Sequence, residues 1–150
     1  MQIVIPGKPI SQMRPRLGKG VVYNPQSLMK KMVSLEMTRQ VCELCDGMPE
    51  KLHQFMSVGS FEVKMTFYFK PAKSVSKSKR RAMLKNEVPC LVKQDLDNLE
   101  KFYCDCANNV LFEDDHQIVK MQSQKLWSEH ERVMIEVKHY IPKGESLCPK

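Results

Sequence analysis

Alternation of apolar and polar residues divides much of the chain into short strands. Apolar side chains fall at every second position of SFEVKMTFYFK, residues 60–70, and predict a strand with one buried face that ends at Pro71. Weaker alternation and shorter apolar runs predict five more strands, over residues 1–6, 21–23, 110–112, 117–127 and 132–140. The proline- and glycine-containing residues 9–20 predict a loop.

Apolar residues at spacings of three and four predict two main helices. The first begins with Asn24 as N-cap and Pro25 at its first position, and it runs to about Cys45 before ending near Asp46-Gly47. Its apolar residues are predicted to lie in the core: Leu28, Met29, Met32, Val33, Leu35, Met37, Val41 and Leu44. The second helix begins after Asp95 as N-cap and ends at Asn108-Asn109. Its predicted core face carries Leu96, Leu99, Tyr103, Cys106 and Ala107.

These elements predict one α/β (α+β) domain over residues 1–142, in which a small mixed β-sheet packs against two main helices. A chain of 150 residues is long enough for one modest core. Residues 143–150 are predicted to be a C-terminal tail. A short basic helix capped by Ser76 or Ser78 is predicted before the second main helix, and His53 is predicted to lie in a loop.

Composition indicates an ordinary globular chain, with 42% hydrophobic and 27% charged residues. No apolar run approaches the roughly 18 residues that a membrane helix needs. The N-terminal MQIVIPGKP has too short an apolar core for a signal peptide, so a cytoplasmic location is expected. The six cysteines are then expected to be reduced. Two close cysteine pairs, Cys42/Cys45 and Cys104/Cys106, allow a zinc site, but helical cysteines are more often core residues.

Positive charge is concentrated in two segments of this chain, whose formal net charge is +7. One is the N-terminal loop, since no acidic residue precedes Glu36, and the other is the stretch from Lys73 to Lys85. Segments whose charged residues are all positive suit contacts with a phosphate backbone, although a solvated basic face is the alternative. The candidate DNA-binding residues are Lys8, Arg14, Arg16, Lys73, Lys77, Lys79, Arg80 and Arg81.

Carboxylates are concentrated in KQDLDNLEKFYCDCANNVLFEDDHQIV, residues 93–119. Asp97, Lys101 and Asp105 follow at i, i+4 and i+8 and are expected to share a helix face, while Asp95 precedes the helix. The Asp114-Asp115 pair follows in a turn. Converging carboxylates favour Mg²⁺, which activates water and stabilises charge on a phosphodiester, and Lys101 adds a cation for the phosphate. They are also expected to raise one another's pKa without metal. The alternatives are a surface salt-bridge ladder and an ordinary acidic turn.

The acidic motifs carry a resemblance to a known family. DLDNLEK at residues 95–101 followed by FEDDHQIV at 112–119 resembles the RusA family of Holliday junction resolvases, particularly its phage and prophage members. IPGKPISQMRPR at residues 5–16 and PAKSVSKSKRRAML at 71–84 extend the likeness over nearly the whole chain. Two positions depart from the family's pattern: Gln94, where a proline is common, and His116, where a small residue is common.

The resemblance implies an α/β homodimer that makes paired, Mg²⁺-dependent nicks in four-way DNA junctions, with Mn²⁺ expected to substitute. It implies that Asp95, Asp97 and Asp115 bind the metal, that Lys101 is catalytic, and that Asp114 is a weaker metal ligand. All four of Asp95, Asp97, Lys101 and Asp115 are thus candidate catalytic residues. The expected partners are branched DNA and a second copy of the chain, with no membrane and no small-molecule substrate.

Two other functions compete with this reading. A non-catalytic branched-DNA-binding protein would keep the basic surface without cleavage. A glycosyltransferase-like DxD site would bind a metal–nucleotide, but the chain is short and carries no glycine-rich phosphate loop.

Overall fold

One inner strand, β4 (Phe61–Phe69), organises the main sheet. In this computed structural model, which describes residues 1–18, 20–57 and 59–142, β4 pairs antiparallel with β6 (Arg132–His139) and parallel with β5 (Ile118–Trp127). Strand β1 (Gln2–Pro6) pairs antiparallel with β6, so the strand order is β1-β6-β4-β5. The predicted mixed sheet is confirmed. The predicted tail, residues 143–150, lies outside the described residues.

Alternation along β4 places its apolar side chains in the core, as expected. Phe61, Val63, Met65, Phe67 and Phe69 are all buried, and the inner position of the strand buries Thr66 as well. The opposite face carries the ion pairs Lys64–Glu136 and Lys120–Glu62. One face of the sheet therefore meets the helices while the other meets solvent.

Residues 16–23 form a separate two-stranded hairpin. Strands β2 (Arg16–Gly18) and β3 (Val21–Tyr23) pair antiparallel, and Gly20 at the turn has a φ of +78°, which glycine adopts without strain. The prediction of β3 is confirmed. The prediction of a loop throughout residues 9–20 is wrong at Arg16–Gly18. These residues form a strand because they pair with β3, and their own sequence carries no strand pattern.

Four helices join the strands: α1 (Ser27–Leu44), α2 (Pro49–Met56), α3 (Lys77–Leu84) and α4 (Leu96–Ala107). The predicted Asn24 cap of α1 is wrong, since the N-cap is Gln26; the Asn24 side chain instead accepts a hydrogen bond from the Gln26 backbone N–H in the preceding turn. Helix α2 contains His53, where a loop was predicted. The Ser76 cap of α3 and the start and end of α4 are confirmed.

The apolar stripe of α1 divides between core and solvent. Val33, Met37 and Val41 are buried, and Gln40 hydrogen-bonds both backbone groups of Val4 in β1. The prediction that the other five apolar residues of α1 are buried is wrong. The exposed fraction of these residues is 48% to 70%: Leu28, Met29, Met32, Leu35 and Leu44. Leu28 and Met37 are nine residues apart, which is about two and a half helical turns, so they project from opposite sides.

Helix α4 packs a broad apolar face into the core. Its buried residues are Leu99, Phe102, Tyr103, Cys104, Cys106 and Ala107, while Leu96 is half-buried. The Tyr103 hydroxyl accepts a hydrogen bond from the Ile10 backbone N–H, which ties the N-terminal loop to the helix. Residues 110–112, predicted as a strand, form a buried turn with one isolated bridge between Asn108 and Phe112. Asn109 has a φ of 60°, which reverses the chain directly after the helix.

The described helices include none that is both long and apolar enough to cross a membrane.

Candidate active site

One face of α4 and the acidic turn enclose a cavity of about 390 Å³. Asp97, Glu100 and Lys101 project into it from the first turns of α4, where spacings of three and four place side chains on one face. Asp115 enters from a short 3₁₀ helix, Asp115–Gln117, that leads into β5. The structure thus brings together three of the four predicted catalytic residues and adds Glu100.

Gln117 holds the acidic turn against the rest of the fold. Its buried side-chain Oε1 accepts hydrogen bonds from the backbone N–H groups of Glu113 (2.8 Å) and Asp114 (3.4 Å). Its Nε2 donates to the Met56 carbonyl at 3.4 Å, which links the turn to the end of α2. We infer that Gln117 is a positioning residue for Asp115. The sequence placed Gln117 at the start of a strand and carried no signal for this role.

Glu100 is the functional candidate that sequence reasoning missed. The Ser123 hydroxyl of β5 donates a hydrogen bond to Glu100 Oε1 and orients this carboxylate at the cavity. The available signal was its i+3 spacing from Asp97, but a solvent-facing glutamate on a helix is common. Only the packing of β5 beside α4 distinguishes it.

The two aspartates of the turn have different surroundings. Asp114 accepts hydrogen bonds from the His116 backbone N–H (3.0 Å) and pairs with its ring at 3.2 Å, and these contacts lower the pKa of Asp114. The pKa of Asp115 is raised, first by its hydrogen bond with the Asp114 carboxyl, then by desolvation and the charges of Asp114 and Asp105. The expectation that clustered carboxylates raise a neighbour's pKa is confirmed for Asp115. Because Asp114 already caps this turn, Asp115 is the freer of the two to bind a ligand.

Asp95 lies apart from this group. It is the N-cap residue of α4, makes no side-chain capping hydrogen bond, and lines a second, larger cavity on the other side of the helix start. The Lys125 ammonium group fixes the approach to it by donating to the carbonyl oxygens of Val92 (3.3 Å) and Gln94 (3.0 Å). Across residues 1–18, 20–57 and 59–142, no three Asp, Glu, His or Cys side chains stand close enough to hold a metal ion together. The role of Asp95 as a ligand stays a prediction.

Asp105 is engaged elsewhere. Its carboxylate pairs with Lys30 of α1 at 2.5 Å, and the Lys30 ammonium also lies 6.0 Å from the centre of the Phe102 ring. Asp105 follows Asp97 by eight residues, so its side chain projects from the helix about 80° away from that of Asp97, toward α1. The expected shared face holds for Asp97 and Lys101 only. Within the described part of the chain Lys101 forms no ion pair, so the alternative of a salt-bridge ladder is wrong.

The donor set of the smaller cavity suits a hydrated divalent cation bound by one or two carboxylates with waters as its other ligands, since no three acidic groups of the described residues stand close enough to bind one ion together. Asp97, Glu100 and Asp115 offer carboxylate oxygens, which Mg²⁺ and Mn²⁺ prefer. The Cys104 thiol lies beneath them, and burial raises its pKa to about 12, with further contributions from Asp115, Glu100 and Asp105. Thiol sulfur is a soft donor, which Mg²⁺ and Mn²⁺ bind less readily than carboxylate oxygen. The available donors are therefore oxygens.

The predicted DNA-binding residues are mostly exposed. Lys8, Arg14, Arg16, Lys73, Lys77, Lys79 and Arg81 all face solvent. Arg80 is the exception, because it pairs with Glu129 at 2.6 Å and also donates to the Pro71 carbonyl. These contacts give Arg80 a part in holding α3 to the loop before β6. Its assignment to DNA binding stays a prediction, as do the others.

Comparison with known proteins identifies relatives of this chain. The family model described as Endodeoxyribonuclease RusA matches residues 6–138. A Bacillus subtilis (strain 168) protein, named "Uncharacterized protein YqaN", is 25% identical over 138 residues, which are 92% of this chain and 95% of the relative. The family match includes every candidate site residue described above.

Replacing Gln117 by methionine is expected to destabilise the fold by about 1–3 kcal/mol, because two backbone N–H groups of the acidic turn lose their acceptor. Urea unfolding measures this change. The control Gln54→Met, at an exposed side chain of α2, is expected to change stability by less than about 0.5 kcal/mol. Equal effects of the two substitutions would contradict the positioning role of Gln117.

The cysteines are expected to react with iodoacetamide at very different rates near pH 8. Cys42 is exposed on α1, whereas burial raises the pKa of both Cys104 and Cys106 to about 12. Because the thiolate is the reactive form, the two buried residues should react at least about 100-fold more slowly in the native protein. Mass spectrometry of the separate peptides measures the rates. Concentrated urea should abolish the difference, and equally fast native alkylation of Cys104 would contradict the buried, carboxylate-flanked site.

Proposed function

The chain belongs to the RusA endodeoxyribonuclease family, and on that premise we propose that it resolves Holliday junctions by paired symmetric nicks that depend on Mg²⁺. The observation that carries the proposal is the cavity in which Asp97, Glu100 and Asp115 face Lys101. Carboxylates beside an unpaired lysine suit phosphodiester hydrolysis, since the reaction needs a bound cation and a positive group for the developing charge.

Each residue of the cavity has a proposed role. One or two of the carboxylates of Asp97, Glu100 and Asp115 would hold Mg²⁺ together with waters, and when bound the metal supplies an activated water and charge stabilisation. Lys101 offers its ammonium group to the scissile phosphate. Asp95 is the fourth proposed ligand, and its carboxylate is not consumed in capping α4. Ser123 and Gln117 orient the carboxylates without touching the reacting atoms.

The exposed basic residues of the N-terminal loop and α3 are proposed to bind the DNA backbone. Lysine and arginine side chains that face solvent neutralise phosphates and release counterions, so binding should weaken steeply with salt. This surface contacts phosphates rather than base edges, and it therefore positions the junction without reading its sequence.

A homodimer is proposed because a four-way junction has approximate two-fold symmetry and needs two matched cuts. The outward stripe of α1 supports a second copy as the partner. Leu28, Met32 and Leu35 recur at spacings of four and three, the spacing of a two-helix seam, and all three are exposed. On the same helix Arg39 pairs with Glu36 and Glu43, and the exposed Lys31 lies beside Met32, so positive and negative charges both flank the stripe.

Nicking of a synthetic four-way junction, beside linear duplex of the same sequence, tests the activity. Symmetric cuts confined to the junction are expected with Mg²⁺ and none with EDTA. Asp97→Asn and Asp115→Asn are each expected to reduce the rate by at least about 100-fold, since each removes a ligand charge. Asp46→Asn, at a surface ion pair with Lys51, is the matched control and should cut normally.

Other outcomes of this assay decide between the alternatives. Junction binding without cutting by the parent protein would favour a non-catalytic branched-DNA-binding protein. Cutting that ignores branching would keep the nuclease and overturn its junction selectivity. Full activity of Asp97→Asn would overturn the assignment of this cavity.

Leu35→Glu is expected to convert the dimer to a monomer, because each copy would place a carboxylate in the apolar seam. Light scattering coupled to size exclusion measures the mass. Leu44→Glu, an equally exposed leucine at the end of α1, is the control and should leave the dimer intact. A parent protein that is monomeric at micromolar concentration would contradict the proposed dimer.

A further inference from the structure

The larger cavity has a volume of about 730 Å³, and of its lining only Asp95 takes part in the chemistry proposed above. Four separate segments form it: the N-terminal loop, the end of β4, the loop that leads into α4 together with the first turn of α4, and the loop before β6. Its volume lies within the roughly 300–1,000 Å³ range of sites that hold a small organic molecule. It adjoins the start of α4, the helix that carries Asp97 and Lys101.

The rim of this cavity is positively charged. Lys8, Lys70 and Lys93 line it, all three are exposed, and none forms an ion pair with a residue that the structure describes. Asp95, the N-cap residue of α4, also lines the cavity, and its side chain does not cap the first backbone N–H groups of the helix. Asp95 and Glu131 are the acidic residues of the lining. The rim therefore suits a phosphate group.

The interior offers a hydrogen-bonding group without a partner. The Oε1 atom of Gln12 is buried and accepts no hydrogen bond from any described residue. The loop around Gln12 is held rigidly, because the buried Gln26 side chain accepts from the Met13 N–H (2.6 Å) and donates to the Ser11 carbonyl (2.9 Å). Gln12 N–H itself donates to the Asn98 carbonyl at 2.8 Å. A buried amide oxygen on a fixed loop, without a donor among the described residues, is suited to a ligand that donates an N–H group.

Leu91 adds an apolar surface at the edge of the cavity. It is 85% exposed, although the residue before it, Cys90, is buried. The surrounding loop is fixed, since the Trp127 indole donates to the Pro89 carbonyl at 3.3 Å and Lys125 donates to the Val92 carbonyl. A large apolar side chain held in solvent by a fixed loop is a stable platform for the flat face of a base.

We propose that this cavity binds one unpaired nucleotide of the branched DNA, next to the phosphate that is cut. The base lies against Leu91 and donates a ring or exocyclic N–H to Gln12, while Lys8, Lys70 and Lys93 surround its phosphate. A base held in a duplex cannot reach Gln12, whereas an unstacked base at a branch point can enter at a lower free-energy cost. The subsite rests on the proposed function and explains how the enzyme would distinguish a junction from linear duplex.

A junction that carries 2-aminopurine at the branch point tests the subsite, with EDTA present so that nothing is cut. Binding of the parent protein is expected to change the fluorescence, because the base leaves its stacked position. Leu91→Ala and Gln12→Ala should each remove most of that change and weaken junction binding about tenfold, while affinity for linear duplex stays within about twofold. Leu91→Phe should retain the parent behaviour, since it keeps a flat apolar surface.

Matched controls and alternative outcomes keep this test decisive. Ile141→Ala and Gln54→Ala remove an exposed aliphatic side chain and an exposed carboxamide outside the cavity, and both should behave as the parent. Circular dichroism and urea unfolding check that each variant is folded. Folded Leu91→Ala and Gln12→Ala variants that bind junctions and change fluorescence like the parent would overturn the subsite.

The subsite and the nuclease activity fail in different ways. A parent protein that does not cut, but whose fluorescence response depends on Leu91 and Gln12, would retain the subsite and overturn the proposed function. A parent that cuts junctions, with variants indistinguishable from it, would retain the function and overturn the subsite.

Discussion

The burial of α4 against the sheet is the interaction on which the candidate site depends. Phe102 and Tyr103 are almost fully buried, and each contributes about 2–3 kcal/mol by leaving water. Their burial fixes the rotation of the helix about its axis, so that Asp97 and Lys101 must face the opposite way. The site is therefore a consequence of core packing.

Electrostatic repulsion within the site is balanced by hydrogen bonds from neighbouring elements. The raised pKa of Asp115 shows that its charge is unfavourable beside Asp114 and Asp105. Ser123 and Gln117 hold the acidic groups in place despite this repulsion. A negative cavity on a chain with 24 basic and 17 acidic residues is ready to take up a cation, and the same cation would allow a phosphate to approach.

The N-terminus of α4 separates two environments that differ in chemistry. On one side, Asp97 and Glu100 form an oxygen-rich cavity with Asp115. On the other, lysines and the buried amide of Gln12 surround a larger space. Asp95 is the N-cap residue between the two cavities. Its motif associates it with the carboxylates of the smaller cavity, but its side chain lines the larger one. In the proposed reaction at a DNA branch point, one environment takes the phosphate that is cut and the other takes the nucleotide beside it.

The sequence alone determined most of the elements and the candidate chemistry. Alternation located β4, β5 and β6, the Asp95 cap located the start of α4, and the DLDNLEK and DD motifs led to Asp97, Lys101 and Asp115, three of the four charged residues on the smaller cavity. These features are local, since they depend on residues within a few positions of each other. Tertiary structure decided which side chains meet. Packing of β5 beside α4 brought in Glu100 and Gln117, and packing of α1 drew Asp105 away to Lys30. Five of the eight apolar residues predicted for the core face of α1 were left in solvent. Helical periodicity predicts which side chains share a face of one helix. Which groups that face meets depends on how segments far away in the chain pack against it.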